Sequence, residues 1–133
     1  CWWCSTQRRT ELLNYAIEHK FNKIALGHHL DDILETLLMN MLERGELSTM
    51  PPKLSYKNYP VTILRPLCYV GEKTLVDYAR QKGFASSVCT CDYQDNSGRK
   101  KARLLLEGLT GGNDAKKMRL FLSLKNIRSE YLP

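Results

Sequence analysis

The chain has 133 residues, of which 43% are hydrophobic and 26% are charged. These proportions are typical of a globular domain with one apolar core, and they exclude a disordered chain, a collagen-like chain and a small disulfide scaffold. No apolar run approaches the ~20 residues of a membrane-spanning helix, so we expect no membrane partner. The 20 Lys and Arg outnumber the 14 Asp and Glu, which permits nucleic-acid binding without proving it.

The start of the chain predicts that more sequence precedes it. Cys1 stands where an initiator Met would be expected, and no basic segment followed by an apolar segment marks a secretory signal. We therefore expect this chain to be the ordered or cloned part of a longer protein that acts in the cytoplasm.

Five cysteines indicate ligand chemistry, because an odd number without a signal segment is a poor disulfide framework. Cys1 and Cys4 form a Cys-x-x-Cys pair, and Cys89 and Cys91 form a second close pair. Such pairs hold a metal ion or cluster, or form a redox dithiol. Four thiolates would suit Zn²⁺, and three with an open position would suit an iron–sulfur cluster. Inert thiols are the alternative, and for Cys68 a place in the core is the simplest interpretation.

Hydrophobic periodicity predicts helices that alternate with short strands. The predicted helices cover residues 5–19, 31–44, 71–82, 98–109 and 113–128. The predicted strands cover residues 23–27, 61–65 and 84–88, and residues 53–60 are polar and turn-rich. The apolar side of the second helix comprises Ile33, Leu34, Leu37, Leu38, Met41 and Leu42, and Gly45 ends this helix. The order predicts an α/β fold with a mostly parallel sheet flanked by helices, part of a doubly wound fold, and a helical C-terminal part.

Two polar clusters follow the first two predicted strands, where doubly wound sheets bind their ligands. They comprise Gly27, His28, His29, Asp31 and Asp32 after the first strand and Arg65 after the second. A glycine lets a ligand approach the backbone, a helix N-terminus favours phosphate, and Asp can hold Mg²⁺ through water. The alternative is structural, with two helix-capping aspartates and two partly exposed histidines.

Basic residues concentrate in the last third of the chain. They include Arg99, Lys100, Lys101, Arg103, Lys116, Lys117, Arg119, Lys125 and Arg128. A solvated helix face is the ordinary explanation of such runs, whereas contact with a phosphate backbone is the sharper one. Trp2 and Trp3, beside the cysteines, could stack on bases or shield a cluster.

A longer pattern joins these clusters. After Cys-x-x-Cys and Arg8-Arg9 comes Ile-Ala-Leu-Gly-His-His-Leu-Asp-Asp-Ile-Leu-Glu-Thr at residues 24–36, then Met-Pro-Pro-Lys-Leu at 50–54 and Ile-Leu-Arg-Pro-Leu at 63–67. In these motifs the sequence resembles the PP-loop ATPases that thiolate tRNA, and above all the tRNA 2-thiocytidine synthetase branch, and the resemblance covers nearly the whole chain. Gly-His-His-x-Asp-Asp alone would also fit tRNA-Ile lysidine synthetase, and the cysteines favour the thiolating branch.

The resemblance implies a Rossmann-like adenine nucleotide α-hydrolase fold and an ATP-dependent tRNA sulfurtransferase. Members of that family use ATP and Mg²⁺ to adenylate a carbonyl oxygen of a tRNA base, and sulfur from a donor protein or sulfide then displaces AMP. In the thiolating branch, three cysteines hold a [4Fe–4S] cluster whose fourth iron is open to the incoming sulfur.

Carried onto this sequence, the resemblance implies site residues one by one. It makes Cys1 and Cys4 cluster ligands, with Cys91 slightly preferred over Cys89 as the third. It places Gly27, His28, His29, Asp31, Asp32 and Arg65 at the nucleotide pocket, and it gives catalytic roles to Cys1, Cys4 and Asp32.

One departure from the family pattern is the phosphate loop, Ser-Gly-Gly-x-Asp-Ser, which is absent and belongs upstream of Cys1. We therefore predict that residues 1–133 are a single domain, the C-terminal portion of a PP-loop catalytic domain, and inactive without the loop. An exposed sheet edge could drive homodimerisation. Two other functions stay open: a zinc-stabilised RNA-binding module without catalysis, and another PP-loop tRNA-modifying enzyme such as a lysidine synthetase-like ligase.

Overall fold

The computed structural model describes residues 2–56, 59–84 and 98–132, and its helices and strands lie mostly where the periodicity predicts them. Helices α1 to α5 span Trp2–Glu18, Leu30–Arg44, Glu72–Gln81, Gly98–Thr110 and Asp114–Ser123. Strands β1 to β3 span Lys23–Ala25, Lys53–Ser55 and Thr62–Leu64, and a short 3-10 helix spans Ser129–Tyr131. Residues 85–88 of the third predicted strand lie outside the described residues. No described helix combines the length and the apolar character needed to cross a membrane.

The three described strands form one mixed sheet in the order β1-β3-β2. β1 runs parallel to β3, with Ile24 opposite Ile63, and β2 runs antiparallel to β3, with Leu54 opposite Ile63. This confirms the α/β class. It also corrects the interpretation of residues 53–60 as turns, because residues 53–55 form β2. The strand is only three residues long and buries only part of Leu54, so its alternation is too short to recognise in the sequence.

The chain folds into two compact units. The first unit comprises Cys1–His28 and Pro51–Cys68, and therefore contains α1 and the whole sheet. Its core consists of Leu13 and Ala16 from α1 with Val61, against which Ile24 and Tyr56 pack. Helix α1 thus covers the sheet with one apolar stripe, as a helix in a layered α/β fold must.

The second unit comprises His29–Met50 and Tyr69–Pro133, and α2 lies at its centre, packed against α4 and α5. The buried stripe of α2 includes Leu30, Ile33, Leu34, Leu37 and Leu38. The expectation that Met41 and Leu42 continue this stripe is wrong, because they are 45% and 70% exposed. The buried stripe ends at Leu38, one turn earlier than the hydrophobic pattern does. The single-domain prediction stays a prediction.

Helix α2 ends where the sequence predicts. Gly45 adopts φ +65° and ψ +25°, and its N–H donates to the carbonyl oxygen of Asn40. A left-handed residue satisfies the carbonyl groups left open at a helix end, and glycine adopts this conformation without a Cβ penalty.

The centre of α2 should dominate the stability of the second unit. Leu34 is fully buried, so Leu34→Ala leaves a cavity and is expected to lower the free energy of unfolding by about 2–5 kcal/mol. Leu42→Ala on the same helix removes the same atoms from a largely exposed side chain and should change it by less than about 0.5 kcal/mol. Urea denaturation followed by circular dichroism measures both, and equal losses would contradict this description of the core.

Candidate functional site

In the first unit, the carboxyl ends of β1 and β3 bring Gly27 and Arg65 to the same sheet edge. Ala25 pairs with Leu64 in the parallel ladder, and the N–H of Leu26 donates to the carbonyl oxygen of Leu64 at 2.9 Å. Gly27 and Arg65 are the residues that directly follow these two positions. Half-buried His28 comes next in the chain. The edge predicted from the alternation of strands and helices therefore exists, and it carries three of the predicted pocket residues.

Arg65 is a buried cation at this edge. Its side chain is only 7% exposed, and its Nη1 donates to the carbonyl oxygen of Pro51 at 2.6 Å. Among the described residues, no carboxylate forms an ion pair with it and its buried Nε has no hydrogen-bond partner. Burial lowers the pKa of Arg65, and nearby Arg9 lowers it further while Tyr56 opposes the shift. A buried guanidinium with a free donor suits an anionic ligand.

Gly27 leaves open space beside the backbone at the same edge. A Cβ placed on Gly27 would meet no described heavy atom within 4 Å. Packing among the described residues therefore does not require a glycine here. A ligand that approaches the main chain closely would require one. The observation fits the predicted role of Gly27 beside a nucleotide.

In the second unit, His29 and Asp32 form a capping box at the start of α2. The His29 side chain accepts from the N–H of Asp32, and the Asp32 carboxylate accepts from the N–H of His29 at 3.1 Å. This arrangement satisfies two N–H groups of the first turn with side chains of the same motif. The first turn of α2 is thus capped by side chains of the motif itself. This is close to the structural alternative of helix-capping aspartates, except that His29 is the N-cap residue and Asp32 completes the capping box.

Asp31 caps a different helix from the one that carries it. Its Oδ2 accepts from the N–H of Glu72, the first residue of α3, at 2.8 Å. Its Oδ1 accepts from the ammonium group of Lys117 on α5, and both side chains are about 93% buried. Burial raises the pKa of Asp31, but the hydrogen bonds from Lys117 and Glu72 outweigh it and hold the pKa below its ordinary value. One carboxylate therefore links three helices.

A second ion-pair cluster lies one turn further along α2. Glu35 is fully buried, and its Oε1 accepts from the Nε of Arg103 on α4 at 2.8 Å. Arg99 donates to the Asp32 carboxylate at 3.0 Å and lies 3.6 Å from the second oxygen of Glu35. The hydrogen bond with Glu35 raises the pKa of Arg103, although burial opposes it. Glu35 and Arg103, with Asp31 and Lys117, are among the residues that line a cavity of about 540 Å³.

Glu35 is not among the predicted site residues, and Arg99, Arg103 and Lys117 are predicted only as part of a solvated or phosphate-binding surface, not as partners of these acids. A signal was present, because Asp31 and Glu35 are four residues apart on α2 and Arg99 and Arg103 are four residues apart on α4. Residues at this spacing share a helix face, so two acids and two bases could have been predicted to meet.

The cysteine prediction rests largely on positions outside the described residues, where Cys1, Cys89 and Cys91 lie. Cys4 is described: it lies in the first turns of α1, is exposed and carries a free thiol. Within the described ranges, no three His, Cys, Asp or Glu side chains are grouped as a metal site. The cluster ligands and the catalytic roles of Cys4 and Asp32 therefore stay predictions.

The Asp31–Lys117 pair should be costly to break from one side only. Lys117→Met leaves a buried, uncompensated carboxylate, so we expect a loss of about 3–5 kcal/mol in the free energy of unfolding. Lys117→Met combined with Asp31→Asn removes both charges and should recover much of that loss. Chemical denaturation of both single variants, the double variant and the parent measures the coupling. Additive losses would contradict a direct interaction between the two side chains.

The coupling free energy between Asp31 and Lys117 should depend on pH in a defined way. Because the pKa of Asp31 is lowered in the folded chain, its stabilising effect is present above the ordinary carboxyl value of 3.8 and is lost as the pH falls below it. The coupling free energy should therefore be constant near neutral pH and shrink below about pH 4. A coupling that shrinks between pH 6 and 8 would assign the effect to another group.

Comparison with known proteins places this geometry in a family. The model of the PP-loop domain matches residues 6–104. The tRNA-cytidine(32) 2-sulfurtransferase 1 of Francisella philomiragia is 38% identical over 133 residues, which cover 99% of this chain and 52% of that protein. The tRNA-cytidine(32) 2-sulfurtransferase of Legionella pneumophila strain Corby is 39% identical, with coverages of 99% and 47%. The chain thus spans about half the length of the curated relatives it matches.

A solved structure supports the same fold. The U34-tRNA thiolase NcsA from Methanococcus maripaludis, determined with its [4Fe-4S] cluster, superposes with a TM-score of 0.78 at 23% identity. The match covers 100% of this chain and 45% of that protein. The family model covers well over half of the 133 residues, and the fold agrees with it. The chain belongs to the PP-loop domain family.

Proposed function

We propose that this chain is the C-terminal half of the catalytic region of an ATP-dependent tRNA sulfurtransferase that makes 2-thiocytidine at position 32 of tRNA in the cytoplasm. One observation carries the proposal: relatives named for this reaction align with 99% of the chain at 38% and 39% identity. The PP-loop family model across residues 6–104 supports the use of ATP. The proposal extends the activity named for those relatives to a chain half their length.

In the proposed reaction, the first step makes the base oxygen a leaving group. The oxygen at C2 of cytidine attacks the α-phosphorus of ATP, the bond to pyrophosphate breaks, and pyrophosphate leaves. Sulfide (HS⁻) then attacks C2 and loses its proton to solvent, and the C–O bond breaks with release of AMP. The net change replaces oxygen by sulfur without oxidation of the base.

The residues at the sheet edge of the first unit suit the nucleotide in this scheme. Arg65 offers a buried guanidinium with a free Nε for a phosphate oxygen, and Gly27 leaves the backbone open to close approach. Positive charge and donors fixed before the reaction stabilise charge that develops on phosphate. His28 follows Gly27 directly and is the third residue that we assign to this pocket.

In the proposal, the two aspartates of the motif have structural roles and do not bind Mg²⁺. The Asp31 carboxylate is already engaged by Lys117 and the N–H of Glu72, and the Asp32 carboxylate by His29 and Arg99. Their oxygens therefore do not fit a Mg²⁺ site in the described arrangement, and the proposal assigns no Mg²⁺ to them. Asp31 and Asp32 instead fix the start of α2, which immediately follows Gly27 and His28 in the chain.

Cys4 is the described residue that we assign to the cluster. Its thiol is exposed and free at the start of α1, as a ligand to a group near a large substrate must be. A [4Fe–4S] cluster held by three cysteines would supply an open iron for the incoming sulfur. We propose Cys1 and either Cys91 or Cys89 as the other ligands, on the basis of the sequence motif.

Cys4 and Cys68 provide a matched test, because one is exposed and the other is buried. Cys4→Ala, introduced into the chromosomal gene that encodes this chain, should abolish 2-thiocytidine in tRNA. The protein isolated without oxygen should lose its iron and acid-labile sulfide. Cys68→Ala removes a thiol that the proposal does not use, so both quantities should stay near the parental level. Nucleoside mass spectrometry and metal and sulfide analysis make the measurements.

Other outcomes would redirect the proposal. Zinc without sulfide, together with unchanged 2-thiocytidine in the Cys4→Ala strain, would favour the zinc-stabilised RNA-binding module. Equal loss in both cysteine variants would show that the effect comes from destabilised protein and would remove the assignment of Cys4. Purified protein with iron and sulfide that survive Cys4→Ala would require ligands elsewhere.

A further inference from the structure

The net positive charge of the chain is confined to one segment. Residues 98–133 contain nine Lys or Arg and three Asp or Glu, a net charge of +6. Residues 1–97 contain eleven of each and are neutral overall. The segment includes α4 and α5, which are joined by a short turn in which Gly111 and Gly112 have positive φ angles of 58° and 68°. The helical hairpin and the residues that follow it thus carry the charge imbalance of the whole chain.

Eight of the nine basic residues of this segment, all but Lys100, divide into two groups with different surroundings. Arg99, Arg103 and Lys117 face α2 and form ion pairs with Asp32, Glu35 and Asp31. These three charges are neutralised within the second unit, and their role is structural. The net positive charge of residues 98–133 therefore comes from the basic residues that face outward.

The outward-facing group forms what we call the outer basic surface. Its members are exposed and take part in no ion pair among the described residues: Lys101 on α4, Lys116 and Arg119 on α5, and Lys125 and Arg128 beyond it. Lys116 and Arg119 are three residues apart and therefore share one side of α5. A net charge of this kind, held on short helices, creates a local positive field.

Two of the three acidic residues of the segment do not offset this surface. Asp114 lies 3.9 Å from the buried Lys117. The Glu107 carboxylate lies over the turn, 3.0 Å from the position that a Cβ on Gly112 would take. Both carboxylates are therefore placed near other groups of the hairpin. A solvated helix surface of an ordinary globular domain mixes the two signs of charge, whereas this segment has nine basic residues and only three acidic ones.

We infer that the outer basic surface of the α4–α5 hairpin docks the phosphate backbone of the RNA substrate. The inference rests on the proposed function for the identity of the RNA, which is tRNA. Exposed Lys and Arg bind phosphates without reading sequence, and they fix the position of the nucleic acid on the protein. The hairpin thus supplies affinity and orientation, whereas the chemistry belongs to the sheet edge and the cysteines.

The test compares two double variants that lose the same charge. Lys116→Gln with Arg119→Gln removes two members of the outer basic surface. The control, Lys23→Gln with Lys53→Gln, removes two exposed lysines of the sheet. A fluorescently labelled tRNA transcript is titrated with each protein at several salt concentrations, and anisotropy gives Kd. Circular dichroism verifies that each variant is folded.

The hairpin variant should raise Kd about tenfold and lower the slope of log Kd against log salt by about two, one for each lost phosphate contact. The control should stay within about twofold of the parent in Kd. Equal weakening in both variants would overturn the inference, because net charge and not the hairpin would then control binding. Unchanged binding in the hairpin variant would overturn it as well.

Other partners and the proposed function are separated by two further measurements. The protein could instead bind vesicles that contain phosphatidylserine more tightly than it binds tRNA, with this binding lost in the hairpin variant only. That result would identify an anionic membrane surface as the partner and overturn the inference. Specific tRNA binding by a protein without iron and sulfide would retain the docking surface and reject the cluster-dependent thiolation. Iron and sulfide without tRNA binding would retain the cluster and reject the surface.

Discussion

The buried carboxylate of Asp31 is the interaction on which the second unit depends most. It is carried by α2, caps α3 through the N–H of Glu72 and accepts from Lys117 of α5. Placing a charge in a protein interior is costly unless partners compensate it, so three helices must meet for this residue to be tolerated. The same carboxylate comes four residues after Gly27, and the helix it anchors begins two residues after His28. The stability of the second unit and the position of α2 within it therefore share one cause.

In the first unit, by contrast, a buried polar group lacks a partner: the Nε of Arg65 makes no hydrogen bond to the described residues. Arg65 is buried without a carboxylate partner among the described residues, and Gly27 faces open space. Buried polar groups are normally hydrogen-bonded, and one that is not calls for an explanation. In the proposed function, a nucleotide phosphate is that explanation. We therefore assign a structural role to Asp31 and Glu35, and the proposed function gives a ligand-binding role to Gly27 and Arg65. All four residues belong to sequence motifs that do not reveal this difference.

Much of the fold could be predicted from the sequence, because α2 has clear apolar periodicity, β1 lies in an apolar run of residues 24–26 that ends at Gly27, and Gly45 is a strong end signal. The strand of residues 53–55 could not, because three residues with one half-buried side chain give no usable pattern. Exposure of Met41 and Leu42 could not either, since the pattern shows which side of a helix is apolar but not how far its neighbours reach. At the candidate site, the alternation of strands and helices predicted that Gly27 and Arg65 follow neighbouring strands, and the structure has them at one sheet edge. The ion-pair partner of Asp31 is Lys117, which lies 86 positions away in the chain. A short motif carries no information on such a contact.

The most direct test of the proposed function is nucleoside analysis of tRNA from a strain in which the gene encoding this chain is inactivated. We expect 2-thiocytidine to disappear from position 32 while other thiolated nucleosides and lysidine remain, and the intact gene to restore it. Unchanged 2-thiocytidine would contradict the proposed function. Loss of lysidine in its place would assign the chain to the ligase reaction instead.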